Sequence, residues 1–387
     1  MKKYIVIISL LAFHFANGQT SSVTEDIHQN YNSDNFVIQQ TKPQSNGDIL
    51  NVFNQYPKDL VASISSSCVP PSLTLEAQGL QYLVSKNIIN RPVETYTSIS
   101  NSSSTNNVIS ADLHTYYSTL PYPQYWYKIE THVPLTSFQP YVNSGCGFTK
   151  DPNYVLQESY NAYDNYGNLL EKTIKGGKNI SFFYGYKGTY KTAVVENASQ
   201  AQVAYTSFET PNDKGNWFYS SANIVPLPTV IPLLSQIAGN NCYAFGSSGG
   251  DITAFVATGN YILSFWGSQN SVTISVNSGG SVSTPLVGTV LNSWTYYEYV
   301  LTNVNEVYLT SATYLGTGAY IDELRLYPQN AQMETKGYLP LTGVSYTCDM
   351  ANHFNYYTYD DLGRLLYIKD QNGNIIKQME YGIQKPE

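Results

Sequence analysis

Apolar and polar residues alternate along most of this chain in short runs, and clusters of Gly, Asn, Asp and Ser separate the runs. Leu365 to Asp370 and Ile375 to Tyr381 each read as a half-buried strand, because a period of two puts neighbouring side chains on opposite faces. Between them stands Asn372-Gly373, a pair that tolerates the positive φ angles of a tight hairpin turn. Asp360-Asp361-Leu362-Gly363 predicts a second turn, with Gly363 free to adopt a left-handed conformation. The unit turn–strand–turn–strand is written again from Tyr163 to Ile180. Without a gap, Tyr163 aligns with Tyr359, Asp164 with Asp360, Gly167 with Gly363, Leu169 with Leu365, Gly177 with Gly373 and Ile180 with Ile376. Tyr338 stands to Tyr359 as Asp349 stands to Asp370, a spacing of roughly 20 residues that makes one hairpin per repeat.

The same reading divides the chain. Residues 19–47 are polar, rich in Asn, Gln and Ser, and predict a flexible leader. Residues 48–200 form an N-terminal β region ending in the first complete repeat. It holds strands at Ile49–Phe53, Val93–Thr97, Val108–Tyr117 and Tyr125–Val133, and a Ser/Asn hairpin tip at Ser98–Asn107. Tyr56-Pro57-Lys58-Asp59 reads as a turn. Leu73–Ser85 predicts the one helix of note, with Leu73, Leu75, Leu80, Leu83 and Val84 as its apolar face. Residues 201–328 change character: Val203–Glu209, Tyr261–Trp266, Ser271–Val276, Trp294–Val300, Val307–Thr310 and Tyr320–Tyr327 are short strands in Gly/Ser/Asn-rich surroundings, the pattern of a β-sandwich. Repeats return over 329–387, so the sandwich reads as an insert between two runs of hairpins. The expected fold class is all-β.

Composition adds compartment and partner. Lys2, Lys3 and the apolar Tyr4–Phe15, followed by Ala16-Asn17-Gly18, read as a cleaved signal peptide spanning residues 1–18. The apolar run is too short for a membrane span, which takes about 18 residues or more, and Pro226, Pro228 and Pro232 break the later run Ile224–Ile237. With 36 tyrosines and only 12% charged residues, the chain has aromatic surface with polar tips. Its net charge of −8 falls to about −10 without the signal lysines, which argues against nucleic acid and anionic lipid. Cys68, Cys146, Cys242 and Cys348 allow three full pairings in an exported protein; Cys68 and Cys146 share one region, and spacing decides no further. His28, His114, His132 and His353 are scattered, with no local pattern for a nucleophile or a metal. Asp349, Asp360 and Asp361 fall in turns, where carboxylates accept from backbone amides.

The segments YDDLGRL…DQNGNI and YDNYGNLLEK…GKNI resemble the YD repeats of RHS-type secreted proteins, in a form similar to exported Bacteroidetes proteins. The resemblance covers about Tyr154–Glu196 and Gln332–Gly382. It implies a sheet of β-hairpins, which in larger relatives winds into a shell, sometimes around a toxic C-terminal segment. With few units and the last one at the end of this sequence, a closed shell from one copy is not expected. Residues Ala201–Pro328 resemble galactose-binding-like jelly rolls, many of which are carbohydrate-binding modules. The pieces are Ser207–Glu209, Tyr261–Trp266, Trp294–Tyr299 and Ile321–Pro328.

That resemblance implies two sets of site residues. An acid from the first strand and one from the last, Glu209 and Asp322, can ligate a structural Ca2+, which takes about six to eight oxygens. Trp217, Trp266 and Trp294 are candidates to stack on sugar rings. Trp266 and Trp294 lie in apolar strands that favour the core, and Trp217 lies in a loop-like setting that favours a ligand. The expected function is that of an exported, non-enzymatic surface or scaffold protein with a glycan-recognition insert, its partner a polysaccharide or cell-surface component. Two alternatives stand beside it: a carbohydrate-binding protein acting through the jelly roll, and an accessory or remnant part of a polymorphic toxin system. Periplasm, cell surface and medium are all open.

Overall fold

The computed structural model describes residues 5–10, 23–101, 104–227, 237–245, 251–268, 272–311 and 319–382. The signal cleavage site after Gly18, the middle of the proline-broken run and Ser271 lie outside them. The chain is all-β and divides into two compact units, Met1–Tyr160 and Asn161–Glu387. The first repeat therefore groups with the C-terminal repeats, and not with the N-terminal region.

In the first unit the strands follow one another as an antiparallel meander: Ile5–Leu10, Val23–Tyr31, Val37–Pro43, Ile49–Gln55, Glu94–Asn101, Ser104–Tyr116 and Pro123–Ile129, which pairs with the start of Tyr154–Tyr163. Most of the stretch read as a flexible leader is two of these strands. Its polar residues are cross-strand partners: Gln29 donates to Gln40 at 3.1 Å, Asn30 to Gln39 at 3.0 Å, and Thr41 to Asn51 at 2.9 Å. Polarity there marks a sheet wetted on its faces, so no apolar alternation betrays it. The Ser/Asn tip is likewise strand almost throughout, with only residues 102–103 undescribed.

The helix spans Leu75–Ser85, capped by Thr74, whose hydroxyl accepts from the Ala77 amide at 3.3 Å. It buries Leu80 and Leu83 against Val93, Val108, Ala111, Leu113 and Ile129, Ala77 against Cys68 and Leu73, and Gly79 against the Tyr116 backbone. Leu75, expected on the apolar face, is exposed, and Leu73 is buried just before the cap. The Tyr56–Asp59 turn is the start of a short helix, Pro57–Ala62, with its proline in the first turn where no amide partner is lost. A Cys68–Cys146 disulfide ties this helical layer to the hairpin at Val142–Thr149. Cys242 and Cys348 are buried thiols.

In the second unit the repeats form one antiparallel sheet in the order Leu169–Ile174, Lys178–Gly185, Tyr190–Glu196, Gln332–Leu339, Gly343–Cys348, Phe354–Tyr359, Leu365–Asp370, Ile375–Gln378. Tyr190–Glu196 pairs directly with Gln332–Leu339, from Ala193 opposite Thr335 to Glu196 opposite Gln332. The insert leaves and re-enters at this pair.

The repeat turns share one clasp. Asp360 Oδ1 accepts from the amides of Leu362 and Arg364, at 3.0 and 2.8 Å, while Gly363 takes φ +73°. Asp164 with Gly167, Asp370 with Gly373 and Asp349 with Asn352 do the same. These amides hold the Asp360 and Asp370 carboxyls below the usual range: the Arg364 amide chiefly for Asp360, and the Asn374 side-chain amide chiefly for Asp370. Asn372 does not share the positive φ expected of it; Gly373 alone turns left-handed, because the clasp spans five residues and needs one such position. Gly177 sits in a different turn, in which Gly176 and Gly177 are both left-handed and Ile174 replaces the clasping aspartate. In the first unit Asn32 builds the same clasp with the amides of Asp34 and Phe36, a kinship the sequence reading missed because asparagine stands for aspartate.

The insert, read as a β-sandwich, is one connected network of ten antiparallel strands around one core, four of them branching off the main path of six. Its two long strands, Ile252–Gly267 and Trp294–Ser311, run where shorter ones were expected, and bulges between Phe255 and Tyr261 let the pair bend.

Candidate functional site

The insert and the repeat sheet are joined by a buried polar network within the second unit. The strand Tyr320–Pro328 bulges opposite Phe265, with Glu323 at φ +52°. Glu323 is fully enclosed. Its Oε1 accepts from Arg325 Nη2 at 2.8 Å and from the Thr335 hydroxyl, and Thr335 also accepts from Arg325 at 2.9 Å. Oε2 accepts from Tyr205 at 3.1 Å and Tyr346 at 3.2 Å. Tyr205, Glu323 and Arg325 belong to the insert; Thr335 and Tyr346 belong to the repeats. A buried ion pair is tolerable only when its remaining lone pairs are met, and here the neighbouring module meets them. Around it Trp266, Trp294 and Cys242 of the insert pack with Tyr346, Cys348 and Phe354 of the repeats.

Beside this join the two parts separate into a cleft of about 700 Å3, within the ordinary range for small-molecule sites. One wall is the sheet. Tyr346, Tyr356 and Lys369 lie directly opposite one another on successive strands, so their side chains share a face, and Thr358 follows on that face. The facing wall is Leu291 and Asn292, at the tip of the Leu286–Leu291/Trp294–Ser311 hairpin, where Asn292 and Ser293 are both left-handed. The third side is the strap Gly239–Asn240 with Glu209.

Glu209 and Asp322, predicted as calcium ligands, both grip this strap. Glu209 Oε1 accepts from the amides of Asn240 at 2.9 Å and Asn241 at 2.8 Å, and Asp322 Oδ2 accepts from Ala238 at 3.3 Å. Asp322 Oδ1 takes the Glu323 amide at 2.7 Å. Tyr356 reaches across from the repeats to donate to the Ile237 carbonyl at 2.9 Å. Gly239 is required: at φ +93°, a Cβ would stand 2.4 Å from the Glu209 carboxyl carbon. Burial pushes Glu209 up to about 7, and pushes Asp322 well above the usual carboxylate range, with Glu323 and Glu209 adding repulsion. As folded, these oxygens face backbone donors, and no group of three or more His, Cys, Asp or Glu among the described residues is arranged to hold a metal.

The three tryptophans are not a sugar platform. Trp217, Trp266 and Trp294 are each at most 1% exposed. Trp266 and Trp294 are core, as their apolar strands suggested. Trp217 is a correction: Trp217–Phe218 is a two-residue strand opposite Ala254 and Thr253, so one ring goes in and the other out. The outward ring is Phe218, 60% exposed, edge-on to Phe255 at 5.7 Å between centroids.

An all-β fold in which an inserted sheet meets the repeat sheet, with an open polar cleft at the join, is what the strands and the site define. No protein-family model matches the chain, and no curated protein matches its sequence. No helix among the described residues is long and apolar enough to cross a membrane.

Proposed function

We infer that this is an exported, non-enzymatic scaffold of the RHS/YD-repeat kind that displays a carbohydrate-recognising insert. The observation that carries the reading is the buried join. Thr335 and Tyr346 of the repeats complete the hydrogen bonding of Glu323 in the insert, so the display module and its carrier form one body. Such a join suits a part that must hold a recognition surface in fixed orientation. The turn aspartates Asp164 and Asp360 accept from backbone amides, which supports a structural role for them.

Export rests on reading residues 1–18 as a signal, whose removal would take the edge strand Ile5–Leu10 with it, and is in keeping with the Cys68–Cys146 disulfide. Calcium enters the proposal from the resemblance alone, which pairs Glu209 with Asp322; in this fold their oxygens face the backbone amides of the strap. Calorimetric titration with Ca2+, and melting with and without chelator, test it; no heat and no shift in melting remove calcium from the reading. Fractionation of the native host with surface proteolysis tests export, and a protein retained in the cytoplasm refutes it. Retention of the intact mature chain on a glycan array is the expected sign of recognition.

A further inference from the structure

We propose that the cleft at the join is a binding site for a neutral oligosaccharide, so that insert and repeats each contribute half of it. This rests on the carbohydrate reading above and moves the contact surface away from the outer faces of the insert.

The sheet face explains why a cleft exists. Thr335, Gly337, Tyr346, Cys348, Phe354 and Tyr356 share one face by register, and the insert covers them. Gly337 leaves room for the Tyr346 ring, whose carbon would lie 2.1 Å from a Cβ there. One strand further on, the same face continues to Lys369, and along the strand to Thr358, where the insert no longer covers it. The sheet thus runs out from under its cover and leaves a half-buried Tyr356 at the floor, next to a cation and a hydroxyl.

The chemistry of the lining selects the ligand class. Tyr356 supplies an aromatic surface for the C–H face of a sugar ring. Thr358, Gln371, Asn240 and Asn292 line the same cleft with a hydroxyl and amides, which exchange hydrogen bonds with sugar hydroxyls in both directions. Purely apolar ligands would strand those groups. Phosphorylated or strongly anionic ligands would meet the Glu209 carboxyl, which lines the same cleft as Lys369.

The test uses the intact mature chain on a printed panel of neutral hexose and pentose oligomers beside uronic-acid oligomers, followed by calorimetry on the strongest binder. Lys369→Ala and Asn292→Gly are the variants; glycine keeps the left-handed turn and removes the amide. Phe218→Ala is the control on a different surface. We expect a tenfold or greater loss of affinity in each cleft variant, unchanged melting, and wild-type binding in the control. Lys369→Met and Thr358→Val provide the same reading where a first variant folds poorly. Retention with undiminished binding by the cleft variants overturns the shared site and leaves glycan recognition standing. Preference for the uronic-acid oligomers overturns the neutral ligand class. Absence of any retention by the wild type refutes both.

Discussion

Glu94 is the most exposed point of the first unit to a change of pH, though it is itself fully enclosed. Both carboxylate oxygens accept from the Tyr141 amide at 3.0 Å, and Oε1 also accepts from the Tyr154 hydroxyl at 2.8 Å. Burial outweighs these donors and raises the group to about 7, against 4.5 for a free glutamate. The folded state therefore holds its proton where the unfolded chain has released it. Stability from this group is full below the unfolded value and is lost as pH rises from about 4.5 through about 7. A shift of about 2.5 units corresponds to roughly 3 kcal/mol, of which about 2.5 kcal/mol falls between pH 5 and pH 8. Glu94→Gln keeps the shape and an acceptor for Tyr141 and cannot ionise. Hydrogen exchange of the strand Ser104–Tyr116, measured across this pH range and corrected for intrinsic rates, reports the opening free energy of the unit that holds Glu94. The wild type should lose protection toward pH 8, and Glu94→Gln should flatten that loss by about 2–3 kcal/mol. Equal slopes in the two proteins would refute a buried, proton-holding Glu94.

Two further outcomes follow from the second unit. Trp217→Ala should cost about 3–5 kcal/mol, as a large ring leaves a closed core, whereas Phe218→Ala should stay within about 1 kcal/mol; chemical denaturation distinguishes them, and equal effects would contradict the inward–outward assignment. Arg325→Met should destabilise by about 3–5 kcal/mol by leaving Glu323 buried without its cation, and Arg325→Met with Glu323→Leu should recover much of that loss; a double variant as weak as the single would show that the ion pair is not the source.

What could be read in advance follows how far apart the interacting residues stand. The repeat turns were legible because an aspartate clasps amides two and four residues ahead, an interaction written within five letters. The insertion between repeats was legible because the same letters recur on both sides of a different composition. The strands hidden in the polar stretch before Asp48 were not, since Gln29, Asn30 and Thr41 find their partners across a sheet with no apolar face to signal it. Trp217 was misplaced because a two-residue strand carries too little pattern to fix which ring faces inward. The join was invisible: Tyr205, Glu323, Arg325, Thr335 and Tyr346 are drawn from both modules, and no local signal links them. Glu209 and Asp322 were singled out as calcium ligands; the partner they share in this structure is the strap Ala238–Asn241.

The pairing of Glu196 with Gln332 has a consequence for how such a chain could arise. To the repeat sheet, everything between these residues is one enlarged hairpin turn, because the strands on either side already sit in antiparallel register. Lengthening a turn costs a folded sheet little, since each doubling of a loop adds only about 0.6 kcal/mol of closure entropy. A sequence whose two ends leave and return a strand's width apart, and which also covers Tyr346, Cys348 and Phe354, could be grafted there without disturbing the ladder. The repeat sheet would then serve as a socket, in which only the face under the occupant has to change with it.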